Sequence, residues 1–385
     1  MKALILSVST GEGHHATGVA IKNQFEQLGV ECTLIDAFEY IDPKLSKLVS
    51  KTYSISAAYA PKPLASIAYD AVVNVDKPSR KVSATNATNT ILAWDLKRHL
   101  EEFNPDIIIC THVMSSMMAH KMKEKGWTDA ITVGIVTDFT VHPMWQDTSS
   151  LDYYVVASEL LELQMAKKGL SIHKVLPFGI PIRPKFSQTI PQSVARTQLN
   201  LEQDRHTVLI MSGSMGHGRM DKVIESIDDL PMDFQVMVVC GSNKDAKKKI
   251  DVMVESGKLR KDYQVYGYVD NVDVMMDAAD CIVTKPGGIT SSEALAKGLP
   301  MIMINPIPGW EVRNAEFMLN NGIALYATKS FPLDEAMFSL LRHDNRLQNL
   351  RETIALYSKK DSTKHLCEFL IDEVTKRSQA HNDEF

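Results

Sequence analysis

The chain has 385 residues, of which 44% are apolar and 23% charged, with a formal net charge of −5; this suits two globular domains and gives no electrostatic sign of nucleic-acid binding. Cys32, Cys110, Cys240, Cys281 and Cys367 stand far apart with no C-x-x-C pair, so a structural zinc site is not expected and the set suits a reducing cytoplasm. No apolar run reaches the ~18 residues that a membrane span needs, and the start of the chain reads as a strand rather than a signal peptide.

In chain order, "KALILSVS", "ECTLIDAF", "PDIIICTH", "ITVGIVTDF" and "DYYVVAS" are short and rich in Ile, Val and Leu, as strands buried on both faces are. The stretch "GIPIRPKFSQTIPQSVARTQLN" reads as a proline-bearing linker followed by a helix. Strand signals then restart with "HTVLIMSGS", "FQVMVVCGS", "YQVYGYV", "CIVTKPGG" and "PMIMINP". Helix-like runs such as "RMDKVIESIDDL", "NVDVMMDAAD" and "SSEALAKGL" lie between them. This alternation predicts an α/β chain of two open sheets in series. The expected first domain is 1–186 and the second 187–345. Helices over 346–385 are expected to return toward the first domain and end in a frayed tail, "SQAHNDEF".

One segment departs from the average. Residues 44–81 carry Lys44, Lys47, Lys51, Lys62, Lys77, Arg80 and Lys81 against Asp70 and Asp76, with Tyr53, Tyr59 and Tyr69 among apolar residues. Such a composition suits either an interfacial segment on anionic lipid or a solvated helical insertion with one buried face.

Near the start, "TGEGHHA" follows the first strand and opens a helix. Gly11, Gly13 and Ala16 fit the dinucleotide spacing G-x-G-x-x-G/A, and Asp36 ends the next strand where a ribose acid would sit. That fingerprint supplies no chemical reason for His14 and His15, and an imidazole titrating near 6.5 suits proton removal at neutral pH. Further on, "TDFTVHPMW" brings Asp138, His142 and Trp145 to a strand's carboxyl end. There Asp138 could orient a histidine or cap a helix, and Trp145 could line an apolar channel or pack in the core.

The second half carries phosphate-type loops. In "TKPGGITSSEALAKGLP" a strand runs through Gly287 and Gly288 into a helix whose positive end could hold a diphosphate. Lys285 could add a cation, Thr290 or Ser291 a hydroxyl, and Glu293 a carboxylate for a ribose diol. The plainer alternative is a helix capped by Ser291 with Glu293 as an acid of its first turn. "MSGSMGHGR" repeats the strand–glycine loop–helix turn, and "NPIPGWEVRNAEF" offers Glu311 and Asn314 to sugar hydroxyls.

With these pieces in order, the chain resembles the glycosyltransferases that make glycosyl diacylglycerols: monogalactosyldiacylglycerol synthase and the processive diacylglycerol glucosyltransferases, in glycosyltransferase family 28. The matching stretches are "STGEGHHATGVAIK", "IVTDFTVHPMW", "DYYVVAS", "GIPIRPKF", "VYGYVDNVDVMMDAADCIVTKPGGITSSEAL" and "INPIPGWEVRNAEF". The resemblance implies two Rossmann-like domains facing a cleft, the GT-B architecture. It also implies inverting transfer of a hexosyl group from a UDP-sugar to the 3-hydroxyl of diacylglycerol or a glycosyl-diacylglycerol. Tyr268 and Val269 would flank uracil and Glu293 would hold the ribose. Ser214, Gly287, Gly288 and Ile289 would surround the diphosphate, with Lys285 beside it. Glu311 and Asn314 would face the donor sugar or its phosphate, and Arg183 would approach the nucleotide from the linker. His14 would be the base or orient the acceptor hydroxyl, with Gly11, Gly13, His15, His142 and Trp145 around the acceptor and Asp138 supporting. Trp310 departs from the family's P-G-Q-E pattern, which leaves the donor hexose open.

The chain holds no D-x-D triplet, and no metal or other cofactor is expected beyond the UDP-hexose substrate. The expected setting is the cytoplasmic face of the cell membrane, reached through residues near 44–81, with no nucleic-acid partner. Three rivals remain at this point: a UDP-sugar epimerase, a nicotinamide-dependent oxidoreductase, and a non-catalytic sugar-nucleotide sensor.

Overall fold

The computed structural model describes residues 1–8, 12–41, 94, 96–213, 216 and 219–383. Gly11, Ser214 and the basic segment 44–81, all singled out above, lie outside the described residues. The chain forms two compact units, one of Met1–Pro184, Pro308–Trp310 and Asp361–Phe385, the other of Lys185–Ile307 and Glu311–Lys360. The terminal helical run 346–385 is therefore divided, its first part belonging to the second unit and its last to the first.

The first unit is built on a parallel sheet in the order β2-β1-β3-β4-β5-β6. Its strands are β1 (Lys2–Ser7), β2 (Glu31–Asp36), β3 (Ile107–Cys110), β4 (Ile131–Ile135), β5 (Tyr153–Val155) and β6 (Val175–Leu176). The inner strands are apolar on both faces because helices cover both: every residue of β3 and β4 is buried. Ala3, Ile5, Ile107, Ile109, Ile131 and Val133 form one core with Ile21 and Phe25 of the helix Glu12–Gln27. The last helix, Ser362–Asp383, adds Leu366, Cys367 and Leu370 to that core. It is fastened by polar contacts as well. The Ser362 and Thr363 hydroxyls donate to the carbonyls of Ile180 and Ile182, and Tyr153 donates to Glu373. The helix runs on through the "SQAHND" stretch expected to fray.

The second unit holds a parallel sheet in the order β12-β11-β10-β7-β8-β9. Its strands are β7 (His206–Met211), β8 (Phe234–Val239), β9 (Asp262–Tyr266), β10 (Cys281–Thr284), β11 (Met301–Met303) and β12 (Leu325–Tyr326). Val208, Ile210, Val236, Val238, Val283 and Ile302 pack with Ile224, Met337 and Leu340 from flanking helices. The edge strands β6 and β12, of two residues each, were not expected from the sequence. So short a strand shows no periodicity, and each exists only by pairing with its neighbour.

The strand orders locate the sites. Chain direction reverses across a sheet between β1 and β3 in the first unit and between β7 and β10 in the second. At such a switch point two successive loops leave in opposite directions and open a crevice beyond the carboxyl ends of the strands.

Candidate active site

At the first unit's switch point, the loop after β1 delivers His14, two residues into the helix Glu12–Gln27, and the loop after β3 delivers Thr111 and His112. His14 Nδ1 lies 2.8 Å from the Thr111 carbonyl oxygen. A carbonyl only accepts, so Nδ1 carries the proton and Nε2 is left as the basic nitrogen of the ring. The Thr137 hydroxyl lies 3.1 Å from the same Nδ1 and Asp138, half-buried, follows it in the loop after β4. Burial lowers the His14 imidazole below its usual value, and the Thr111 hydrogen bond opposes that shift without reversing it.

Two more histidines stand at this end of the sheet. His112 caps the helix Val113–Glu124 by accepting from Met114 N–H at 3.1 Å, and His142 caps the 3₁₀ turn Pro143–Thr148 by accepting from Met144 N–H at 3.2 Å. Both rings therefore keep Nδ1 unprotonated. His15, the neighbour of His14, is exposed.

Several expectations change here. Trp145 is a core residue, 4% exposed and edge-on to Tyr154. A β-carbon on Gly134 of β4 would come within 2.7 Å of its ring. It therefore packs over bare backbone and does not line an acceptor channel. Asp36, the ribose acid of the nicotinamide rival, spends its Oδ1 on the N–H groups of Phe38 and Glu39, each at 2.9 Å, capping the short helix Ala37–Ile41.

At the second unit's switch point, the glycine loop after β7 meets the turn after β10. Gly213, at φ +65°, approaches Lys285: a β-carbon there would lie 3.8 Å from its Cε. Gly216, at φ +58°, sits so close to the Cys240 carbonyl that a β-carbon would overlap it at 1.9 Å, so only glycine fits this loop. The helix after β10 begins at Gly288, with Gly287 as its cap and Ile289 in its first turn, ahead of the Ser291 cap that the sequence offered. Glu293 is therefore in the second turn, not the first, and is buried at 4% exposure. The Ser291 and Thr284 hydroxyl oxygens are buried beside this turn with no hydrogen-bond partner among the described residues. Buried hydroxyls in that state suit a site that acquires an oxygen-rich ligand.

Lys285 Nζ lies 3.2 Å from Glu311 Oε1, and Glu311 Oε2 accepts from Ile307 N–H at 2.8 Å. Asn314, fully buried, donates to the Pro286 carbonyl at 3.0 Å and so braces the same turn. The helix Trp310–Asn320 supplies both Glu311 and Asn314 and starts with the half-buried Trp310. Tyr268, 70% exposed, and Val269, half-buried, follow β9 at the carboxyl end of the same sheet. Arg183 is half-buried in the Ile180–Pro184 stretch of the first unit, whose carbonyls the last helix holds.

Residues 14–182 match the monogalactosyldiacylglycerol (MGDG) synthase family, and residues 207–364 match the glycosyltransferase family 28 C-terminal domain. The processive diacylglycerol beta-glucosyltransferase of Bacillus subtilis (strain 168) is 29% identical over 385 residues, covering 98% of this chain and 96% of its own. That of Bacillus pumilus (strain SAFR-032) is 28% identical over 379 residues, 97% and 95% of the two chains. Among solved structures, MurG of Acinetobacter baumannii superposes with a TM-score of 0.63 at 12% identity, over 96% of this chain and 99% of its own. The fold is accordingly of the two-domain GT-B type.

Proposed function

We propose that the chain, whose two parts match the monogalactosyldiacylglycerol synthase family and the glycosyltransferase family 28 C-terminal domain, transfers a hexosyl group from a UDP-sugar to the 3-hydroxyl of diacylglycerol, or of a glycosyl-diacylglycerol, with inversion. The lipid hydroxyl gives its proton to His14 Nε2 as its oxygen bonds to the anomeric carbon. The bond from that carbon to the diphosphate breaks on the opposite face and UDP departs with the electron pair. The observation that carries the reading is the Thr111 carbonyl on His14 Nδ1, which leaves Nε2 basic.

The second unit's turn binds the donor. The N–H groups at the start of the helix Gly288–Ala296, with Lys285 and the Ser291 hydroxyl, take the charge that grows on the departing diphosphate. Tyr268, Val269 and Glu293 hold the nucleoside, Glu311 and Asn314 meet the hexose, and Arg183 approaches the nucleotide. Trp310, in place of an amide, stacks on the sugar's apolar face. Glucose is the first donor to test, since the curated relatives are named glucosyltransferases.

The acceptor is a bilayer lipid, so the protein works at the inner membrane surface, approached by the basic segment 44–81. Among the described residues no helix is long and apolar enough to cross a membrane. The test is chromatography of lipid products after incubation of the protein with UDP-glucose or UDP-galactose and vesicles of diacylglycerol in anionic phospholipid. A glycosyl-diacylglycerol product is expected. No glycolipid from any UDP-hexose, together with epimerised nucleotide in the absence of lipid, would replace the reading with the epimerase.

A further inference from the structure

His112 was not among the residues singled out from the sequence, yet it touches the base. The His14 and His112 ring centroids are 4.6 Å apart and the planes stand at 85°, edge to face. We propose that His112 is a positioning residue for His14: its pinned, neutral ring is the wall that holds the imidazole with Nε2 presented as the base. The inference rests on His14 being that base.

The pinning is local and complete. His112 Nδ1 accepts the Met114 N–H, and the His112 carbonyl accepts from Ser115 Oγ at 2.9 Å, Ser116 Oγ at 3.1 Å and Ser116 N at 3.0 Å. The preceding residue, Thr111, supplies the carbonyl that orders His14, and its hydroxyl donates to Ser7 Oγ at 3.2 Å. One dipeptide thus anchors His14 by a hydrogen bond and walls it by a ring. Protonating His112 at Nδ1 would turn the cap's acceptor into a second donor and set a cation at the positive end of a helix. Burial, reinforced by the neighbouring His14 and His142, also holds His112 far below the usual imidazole value. His14 can therefore take up a proton without a cationic neighbour competing for it.

Several titratable groups among the described residues stand at this end of the sheet. From β3 comes Cys110, whose thiol burial pushes up to about 12 despite hydrogen bonds with Ser115 and Ser116, so it stays neutral. His112 stands edge-on to His14, His142 acts on His112 in turn, Asp138 follows Thr137 in the loop after β4, and His15 is the neighbour of His14 in sequence. With His112 removed, water reaches His14 and the desolvation that lowers it is relieved.

The experiment compares His112→Asn, His112→Ala and His14→Ala in the full chain, measuring kcat, KM for UDP-hexose, the pH profile of kcat/KM, and Tm. Asparagine caps a helix well but has no ring, so it separates the two duties of His112. Both His112 variants should lose kcat by at least about tenfold. Their acidic limb should move up toward about 6.5, while KM for UDP-hexose changes little. His112→Asn should keep a near-native Tm and His112→Ala should lower it. Native kcat, or an unmoved acidic limb, in His112→Asn would reduce His112 to a helix cap and overturn the proposal. If His14→Ala keeps its turnover, the base assignment has failed and the positioning role falls with it.

Discussion

Lys285 and Glu311 form a largely buried ion pair, 3.2 Å apart with side chains 18% and 6% exposed, directly under the turn assigned to the diphosphate. The Lys285 charge is thus neutralised internally by Glu311, and in the proposed function an anionic donor would compete for it. Lys285→Ala should weaken UDP binding by about tenfold or more, roughly 1.4 kcal/mol, and should also lower Tm, since Glu311 would remain a buried carboxylate without its cation. Glu311→Gln should keep or improve UDP affinity while lowering transfer. Titration calorimetry with UDP, set beside the transfer rate, separates the two effects; unchanged UDP affinity in Lys285→Ala would remove the lysine from the donor site.

The pH dependence of transfer follows from His14. As a base it must be neutral in the free enzyme, and burial shifts it below the usual imidazole value. The acidic limb of kcat/KM should therefore fall below pH ~6.5, with activity rising as pH rises through the limb. A limb clearly above that value would mean that another group is titrating or that the ring is not desolvated in solution.

Stability of the second unit should depend on Asp280. Its carboxylate accepts from Arg196 Nη2 and Thr207 N–H, each at 2.8 Å, and from Gln192 Nε2 at 3.2 Å, with His206 Nδ1 3.6 Å away. Burial alone would raise Asp280, but the neighbouring His206, the hydrogen bonds from Thr207 and Gln192 and the Arg196 charge hold it at about 2. Its stabilisation, about 2 kcal/mol, is present above pH ~4 and is lost as pH falls toward the folded value. His206 is shifted the other way, chiefly by the Asp280 carboxylate beside it, so its contribution is present below pH ~6.5 and fades as pH rises through its folded value. Asp280→Asn should cost about 3–5 kcal/mol and flatten both limbs. Chemical denaturation across pH would show it, and an unaltered pH profile would contradict it.

The last helix completes the first unit's core through Leu366, Cys367 and Leu370, all fully buried. Leu370→Ala should destabilise by about 2–5 kcal/mol. A change on the order of 0.5 kcal/mol, the size of a surface substitution, would mean that the helix is only loosely docked.

Much of the fold was legible because strands of a parallel sheet are short runs rich in apolar residues, and ten such runs became β1–β5 and β7–β11. Helix ends were less so: the stretch before the last helix is two helices, Leu333–Leu341 and Asp344–Tyr357, broken at Arg342–His343 with no glycine or proline to mark the break. In the candidate site, the glycine loops and His14 stood out by spacing. Thr111, His112 and Thr137 did not, because their importance comes from β3 ending beside β1 and β4 beside β3, pairings that no local pattern records. The only local signal for His112 is its place between a strand's end and a helix's start. Trp145 was ambiguous for a related reason: nothing near it in sequence says that Gly134, on β4, leaves the space its ring fills.

The central claim is most directly tested by the initial rate of hexosyl transfer to diacylglycerol in His14→Ala, with UDP affinity measured on the same protein. The account predicts a fall of about 10²–10⁴-fold in kcat with UDP binding intact. Near-native turnover in a variant that still binds UDP would contradict it.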